Sequence, residues 1–202
     1  MNFKKNFKKI TALAAVMAMA LSMAACGADN AADNTDTAAE STSAAENAAE
    51  TAEILNFIPP EKGEKIAVMT VKDYGEIKIK LFPEAASKGV ENFIGLADMN
   101  YYDELIFHRV IPHFMDQGGD PQGTGMGGQS MWGGSFDGGI PEGLYHFSGA
   151  IAYANSGSTS TNGSQFYIVN TDEGECVSDV SSYPRNVQDM YKEKGGVPYL
   201  DG

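Results

Sequence analysis

The sequence predicts a mainly β fold, an antiparallel barrel or sandwich, for residues 54–202 of the 202-residue chain. Short apolar runs alternate with glycine-rich loops through most of this region, as is typical of antiparallel β proteins. Only one helical pattern stands out, and it comes early. Strands and helices therefore do not alternate as they would in a parallel βαβ series.

The first predicted element is a β-hairpin in residues 65–82, KIAVMTVKDYGEIKIKLF. Two runs of alternating apolar and polar residues flank a turn at Asp73, Tyr74 and Gly75.

The second predicted element is an amphipathic helix in PEAASKGVENFIGLADMNYY, with Pro83 at its start. Its apolar residues recur at helical spacing and are Ala86, Val90, Phe93, Ile94 and Leu96. We expect this face to cover a core.

Further strands are predicted after the helix. ELIFHRVI, residues 104–111, is a β run that Pro112 ends. The short apolar runs FMDQGG, AIAYAN and QFYIVN follow, separated by loops rich in glycine.

Residues 1–25 have the pattern of a secretory signal peptide, with four lysines followed by a short uncharged run. The end of this run, Met-Ala-Ala-Cys-Gly at residues 23–27, resembles the lipobox of bacterial lipoproteins. The resemblance implies that Cys26 is diacylated, becomes the mature N-terminus and anchors the protein to the cell membrane, outside the cytoplasm. An ordinary signal peptide with a chance cysteine is the alternative.

The composition of residues 26–53 predicts that this segment is a disordered tether. After Cys26 the segment holds seven acidic residues, no basic residue, no aromatic and no large aliphatic residue, so it cannot bury a core. We expect it to hold the folded domain away from the membrane.

The composition excludes several classes of function. The net charge of −13, which becomes −17 once the four N-terminal lysines are removed, argues against nucleic acid as a partner. His108, His113 and His146 lack metal-ligand spacing, so we expect no metal and no cofactor. Cys176 is interpreted as a spare thiol.

The stretch GTGMGG, Gly123 to Gly128, matches a dinucleotide fingerprint only by its letters. No βαβ unit surrounds it and no helix follows, so nucleotide binding is not predicted. A loop whose backbone passes close to another group is the better interpretation.

Four stretches carry a family resemblance: FHRVIPHFMDQGGD at 107–120, GTGMGG, AYANSGSTSTNGSQFYIV at 152–169 and GGVPYLDG at 195–202. In this order they resemble the cyclophilin family of peptidyl-prolyl cis–trans isomerases, from about Lys65 onward. The resemblance implies a cyclophilin-like, eight-stranded antiparallel β-barrel with capping helices.

The resemblance also implies a set of site residues. The catalytic arginine falls on Arg109. The substrate-binding positions fall on Phe114, Met115, Gln117, Ala154, Asn155, Gln165, Tyr167, Tyr199 and Leu200. Tyr199 stands where the best-known members have tryptophan, which weakens the expectation of tight cyclosporin binding. A longer loop, from about Thr171 to Gly196, is a further departure.

The chemistry of Arg109 agrees with this assignment. Rotation about an X–Pro bond is opposed by amide resonance, with a barrier of roughly 18–20 kcal/mol. A charged donor aimed at the prolyl nitrogen, beside an apolar slot for the ring, favours the twisted state and needs no nucleophile. A neighbouring carboxylate would occupy the donor. Without the surrounding motifs, a snorkelling surface residue is the favoured interpretation of Arg109.

The family continues beyond the position of Gly202 with a pocket histidine, further strands and a second helix. We therefore expect a barrel that lacks its last strands and second helix, with weak or no activity.

Three functions remain open. The first is a monomeric, exported isomerase that acts on proline-containing segments of unfolded proteins. The second is a binding module that holds such segments without significant turnover, and the third is an inactive fragment of a longer enzyme.

Overall fold

The computed structural model describes residues 51–202, and every structural statement below concerns this part of the chain. The predicted signal peptide, Cys26 and most of the predicted tether lie outside the described residues. The strands are β1 (Ile66–Val71), β2 (Gly75–Lys80), β3 (Arg109–Ile111), β4 (Met115–Gly118), β5 (Ile151–Tyr153) and β6 (Phe166–Val169). The α-helices are α1 (Ser87–Asp98) and α2 (Arg185–Lys194), and 3-10 turns occupy Thr159–Thr161 and Pro198–Leu200.

The predicted hairpin is confirmed. β1 and β2 pair antiparallel, with Ile66 opposite Lys80 and Val71 opposite Gly75. The turn needs backbone with positive φ, which Asp73 (66°) and Gly75 (107°) supply. Ile79 is buried and faces the core beneath α1.

The predicted helix is confirmed, but it begins at Ser87 rather than at Pro83, which lies in a preceding turn. Phe93 and Leu96 are buried, and Val90 and Ile94 pack against the same core. The rings of Phe93 and Phe166 meet edge to face, with centroids 5.8 Å apart, so α1 packs on β6.

The remaining strands form one antiparallel sheet in the order β3-β4-β6-β5. The predicted β run over 104–111 contributes only Arg109–Ile111 to it. Glu104 has a positive φ of 61°, and the turns around it interrupt the run before β3 starts. The mainly β, antiparallel class is confirmed. Within residues 51–202, however, six strands form separate sheets of two and four strands, and no sheet closes into a barrel.

The long loop predicted over 171–196 contains the helix α2, so the sequence interpretation was wrong for residues 185–194. Val187 and Tyr191 are fully buried and lie four positions apart, which is the spacing of one helical face. With Phe147 and Val180 they form a second hydrophobic core. Because this face holds only two buried residues, the sequence pattern alone did not indicate the helix.

The start of the described chain packs on this second core. The side-chain amide of Asn186 accepts the backbone N–H of Ala52 and donates to its carbonyl, at 3.0 and 2.7 Å. Among residues 51–202, neither α-helix has the length and apolar character needed to cross a bilayer.

Candidate functional site

The register of three neighbouring strands assembles the polar part of the candidate site. Arg109 on β3 lies opposite Gln117 on β4, and Gln117 lies opposite Tyr167 on β6. Side chains of directly opposed residues share one face of an antiparallel sheet. The pairing therefore brings Tyr167 next to Arg109 and Gln117, which lie far from it in the sequence.

A chain of amide groups leads away from Arg109. Its Nη1 donates to Oε1 of Gln117 at 3.4 Å, and Nε2 of Gln117 donates to Oε1 of Gln165 at 2.9 Å. Nε2 of Gln165 donates in turn to the carbonyl oxygens of Gly125 and Gly127, at 3.1 and 2.8 Å. Since each donor has a defined acceptor, the orientation of both amides is fixed.

Arg109 keeps most of its donors available. Its side chain makes no ion pair with any carboxylate of residues 51–202. The guanidinium carbon lies 5.9 Å from the ring centroid of Phe114. The exposed guanidinium therefore rests between an aromatic face and a neutral amide, where its charge is not neutralised.

The glycine-rich loop is built around Asp120, whose side chain is almost completely buried. The carboxylate accepts backbone N–H groups from Gln122, Thr124, Gly125 and Gly127, at 2.7–3.2 Å. Burial raises the pKa of Asp120, but these four donors outweigh it and lower the pKa to about 2. A Cβ at Gly127 would collide with this carboxylate. The loop thus wraps a buried anion and presents two carbonyls to Gln165.

The apolar part of the site lies beside this chain. The rings of Phe114 and Tyr199 are stacked, with centroids 6.1 Å apart and planes 24° apart. Tyr199 is 58% exposed, whereas Met115 is 2% exposed and lies next to Phe114 on β4. Leu200 is half-buried and belongs to the same 3-10 turn as Tyr199.

Asn170 holds Phe114 in place. The backbone N–H of Phe114 donates to Oδ1 of Asn170 at 2.8 Å, and Nδ2 of Asn170 donates to Asp116 at the same distance. This anchor is needed because the preceding residue, His113, has a positive φ of 63°.

Ala154 and Asn155 border the site at the end of β5. The backbone N–H of Ala154 donates to the carbonyl of Gln165 at 3.0 Å. The side chain of Asn155 is exposed and accepts the N–H of Gly157, so it closes the following turn. The structure therefore connects Arg109, Gln117 and Gln165 directly, while Asn155 makes no side-chain contact with them.

Comparison with known proteins identifies the family of the chain. The family model for cyclophilin type peptidyl-prolyl cis–trans isomerases matches residues 66–182, which is more than half of the chain. The chain belongs to the cyclophilin family.

Several relatives of this cyclophilin are known. A Staphylococcus aureus protein named as a peptidyl-prolyl cis–trans isomerase is 46% identical over 145 residues, 70% of this chain and 73% of its own length. A Streptococcus pyogenes protein named as a bifunctional phosphatase/peptidyl-prolyl cis–trans isomerase is 46% identical over 142 residues, 69% of this chain. That match spans only 30% of the streptococcal protein.

A solved cyclophilin type isomerase from Cryptosporidium parvum, crystallised in the presence of the dipeptide Ala-Pro, is 37% identical in sequence. It aligns with a TM-score of 0.47 over 60% of this chain and 70% of its own.

Sequence reasoning missed several residues that build the site of this cyclophilin. Asp120 ends the arginine-containing motif and precedes the glycine-rich loop, which was a readable signal for an anchoring carboxylate. Asn170, His146 and Asp201 gave no signal, because their partners lie far away along the chain.

One group of side chains could hold a metal ion. Donor atoms of His113, Asp172 and Glu175 lie within 4.8 Å of one another. Nδ1 of His113 is 2.9 Å from Glu175 and 3.4 Å from Asp172; His113 and Asp172 are exposed and Glu175 is partly exposed. An ion pair of the imidazolium with two carboxylates accounts for this geometry without a metal.

Proposed function

We propose that this cyclophilin catalyses cis–trans isomerisation of X–Pro bonds through Arg109. The observation that carries the proposal is the free guanidinium beside the ring of Phe114, held by Gln117 and by no carboxylate of residues 51–202. As the X–Pro bond twists, resonance is lost and the prolyl nitrogen gains a lone pair. A positioned cationic donor stabilises this state more than the planar ground state, which lowers the barrier.

The substrate class follows from the surroundings of Arg109. Phe114, Met115, Tyr167, Tyr199 and Leu200 offer an apolar place for the proline ring, and Gln165 with the backbone of Ala154 and Asn155 offers polar contacts for the peptide. No step needs a metal, a nucleophile or a cofactor. Proline-containing segments of unfolded proteins are therefore the proposed substrates, and a monomer suffices for the reaction.

The test compares the two arginines of the chain. We expect Arg109→Ala to lower kcat/KM for a proline tetrapeptide on the order of 10²-fold or more, as loss of one preorganised donor does elsewhere. Arg185→Ala, at the exposed start of α2, is the matched control and should retain normal turnover. The measurement is exchange between cis and trans peptide by NMR, with peptide affinity measured in parallel.

The same experiment separates the alternative function. If the protein binds the peptide but neither it nor the Arg185→Ala variant accelerates exchange, the domain is a binding module. If Arg109→Ala and Arg185→Ala isomerise at equal rates, the proposed role of Arg109 is wrong.

We also propose that the isomerase acts outside the cytoplasmic membrane, anchored through lipid on Cys26. The support is the lysine-rich start, the short apolar run and the lipobox-like residues 23–27. Cys26→Ser should abolish incorporation of labelled palmitate and release the protein from the membrane fraction. Palmitate labelling that survives Cys26→Ser would contradict the proposal.

We further propose that the two sheets are parts of the eight-stranded barrel implied by family membership. The support is the antiparallel pairing in both sheets and the core that β1, β2 and β6 share with α1. An experimental structure in which β1–β2 and the four-stranded sheet stay separate would contradict it.

A further inference from the structure

Tyr167 is joined to a buried carboxylate through a histidine. Its hydroxyl lies 2.9 Å from Nε2 of His146, and the two rings are stacked with centroids 5.9 Å apart and planes 19° apart. Nδ1 of His146 lies 2.7 Å from Oδ1 of Asp201, and the same oxygen accepts the backbone N–H of His146 at 2.7 Å. Only 16% of the His146 side chain and 9% of the Asp201 side chain are exposed.

The direction of these hydrogen bonds follows from the chemistry of the groups. A carboxylate only accepts, so Nδ1 of His146 carries the proton that faces Asp201. In the neutral ring Nε2 then has a lone pair and accepts the hydroxyl of Tyr167. Burial, followed by the charges of Asp201 and Tyr199, raises the pKa of Tyr167, so the phenol remains a donor.

Asp201 is also connected to the turn that carries Tyr199 and Leu200. It directly follows the 3-10 turn Pro198–Leu200, which carries Tyr199, and its backbone N–H donates to the carbonyl of Pro198 at 3.0 Å. Its second carboxylate oxygen accepts the hydroxyl of Tyr191 at 2.6 Å. Tyr191 is fully buried and comes from α2, the helix in the segment that the sequence analysis interpreted as a loop.

We propose that Asp201 and His146 are positioning residues that fix the ring of Tyr167 in the proline pocket and tie it to the wall formed by Tyr199 and Leu200. The inference deepens the proposed function and rests on it. The proposal assigns a role to α2 as well, because the hydroxyl of Tyr191 donates a hydrogen bond to the carboxylate of Asp201.

His146 fixes the ring of Tyr167 because a polar group without a hydrogen-bond partner is unfavourable. A partly buried tyrosine hydroxyl must find a hydrogen-bond partner, because an unpaired polar group away from water destabilises the fold. In this cyclophilin the partner is His146, so the hydroxyl is satisfied by the protein and the ring has one orientation. A proline ring then meets a fixed surface, and less ordering is needed on binding.

The test is a double-mutant cycle on Tyr167→Phe and Asp201→Ala, with kcat and KM measured separately for a proline peptide. Tyr167→Phe keeps the ring and removes the hydroxyl, so we expect KM to rise roughly 3- to 10-fold with little change in kcat. Asp201→Ala should raise KM at least as much, since it frees both Tyr167, through His146, and the turn that carries Tyr199. In the Asp201→Ala background, Tyr167→Phe should add nothing.

Two further variants complete the design. Asp201→Asn keeps one acceptor oxygen and should recover part of the loss in KM. Tyr145→Phe is the matched control, because its ring lies in the same core region and its hydroxyl makes no hydrogen bond within residues 51–202. We expect its KM to equal that of the wild-type protein.

If the KM effects of Tyr167→Phe and Asp201→Ala multiply, or if Tyr167→Phe leaves KM unchanged, the inference is overturned. A purely structural role would lower the melting temperature of Asp201→Ala without changing KM at temperatures where it is folded. Tyr167→Phe preserves the packing, so it decides the matter even where Asp201→Ala does not fold.

A second readout does not depend on turnover. In spectra of protein labelled with ¹⁵N-histidine, His146 should carry its proton on Nδ1, and Asp201→Ala should shift it towards Nε2. A wild-type protein without isomerase activity would overturn the proposed function, whereas an active protein with an unchanged His146 tautomer in Asp201→Ala would overturn only this inference.

Discussion

Neutral partners decide what Arg109 can do. A carboxylate at the position of Gln117 would form a bidentate ion pair with the guanidinium and compete with substrate. An amide supplies one acceptor at 3.4 Å and leaves the charge in place. The amide needs its own support, which Gln165 and the carbonyls of the glycine-rich loop provide. The electrostatics of the site therefore depend also on backbone groups of the glycine-rich loop, which are not among the substrate-binding positions.

Asp120 holds the backbone of the glycine-rich loop in place, and its replacement tests whether the site depends on that loop. We expect Asp120→Asn to destabilise the protein by about 2–3 kcal/mol, because the buried carboxylate loses its charge while four backbone N–H groups keep pointing at it. Since the loop carbonyls that hold Gln165 would move, kcat/KM should fall as well. Thermal unfolding and peptide exchange measure both effects.

The effect of Asp120 also has a defined pH dependence. Its pKa in the folded protein, about 2, lies below the ordinary value of 3.8. The carboxylate therefore stabilises the fold above about pH 4, and this contribution is lost as the pH falls towards 2. The difference in melting temperature between wild type and Asp120→Asn should shrink on acidification. Asp103→Asn, in an exposed turn, is the control; an equal loss of stability in both variants would argue against the role of Asp120.

The candidate-site residues that sequence reasoning proposed belong to contiguous motifs, and those that it missed depend on tertiary pairing. Arg109, Phe114 and Gln117 lie in β3, β4 and the turn between them, and the resemblance of this stretch to a family motif assigned them. His146 and Asp201 are separated by 55 positions and meet only when the chain is folded. No local pattern marks such a pair.

The turn between β3 and β4 is tied to the segment that leads towards α2. His113 lies in this turn with positive φ, and its Nδ1 pairs with Glu175 and Asp172. The hydrogen bond that His113 donates to Glu175, then the charges of Glu175 and Asp172, raises the pKa of His113. The backbone N–H of Asp172, then His113, lowers the pKa of Glu175. The pairing fixes the residue next to Phe114.

These shifts define the pH range in which the pairing acts. The raised pKa of His113 means that its contribution is fully present below the ordinary value of 6.5 and is lost as the pH rises through the folded pKa. The lowered pKa of Glu175 means that its contribution is present above 4.5 and is lost on acidification. We expect Glu175→Gln to lower the pKa of His113, measured by NMR titration of the imidazole. Glu173→Gln is the matched control, and equal titration curves in the two variants would show that Glu175 does not pair with His113.

The helix α2 shows why an element was missed. The sequence around it is rich in charged and polar residues, and its apolar face is narrow, with Val187 and Tyr191 as its buried residues. Its stability comes from a second core that includes Phe147 and Val180, contributed by segments outside the helix. Tertiary packing, more than local propensity, determines this element.

At the scale of the whole molecule, the sequence predicted the antiparallel β class, but it did not predict whether the sheets join into a closed barrel. Alternating polarity and turn residues specify β1 and β2 locally, because each side chain has only two faces to choose from. Whether the sheets join depends on edges contributed by distant segments, and the described residues show two separate sheets. The two cores, one beneath α1 and one beneath α2, were likewise not visible in any single stretch.

The limit of the folded unit is testable at its start, where residues 52–57 pack against the second core. Asn56 donates to the carbonyl of Tyr145 and accepts its backbone N–H, at 2.8 and 3.0 Å, and the ring of Phe57 lies 5.2 Å from that of Phe147. We expect Asn56→Ala to destabilise the protein by about 1–3 kcal/mol, because both backbone groups of Tyr145 lose their partner. The measurement is the melting temperature.

Glu53→Ala supplies the matched comparison, since Glu53 lies in the same segment with an exposed side chain. Its melting temperature should equal that of the wild-type protein, while Asn56→Ala should melt several degrees lower. Equal melting of the two variants would mean that this segment is part of the tether rather than of the fold. A selective loss in Asn56→Ala would instead mean that the fold includes this segment, held against the second core, to which Tyr191, the partner of Asp201, also belongs.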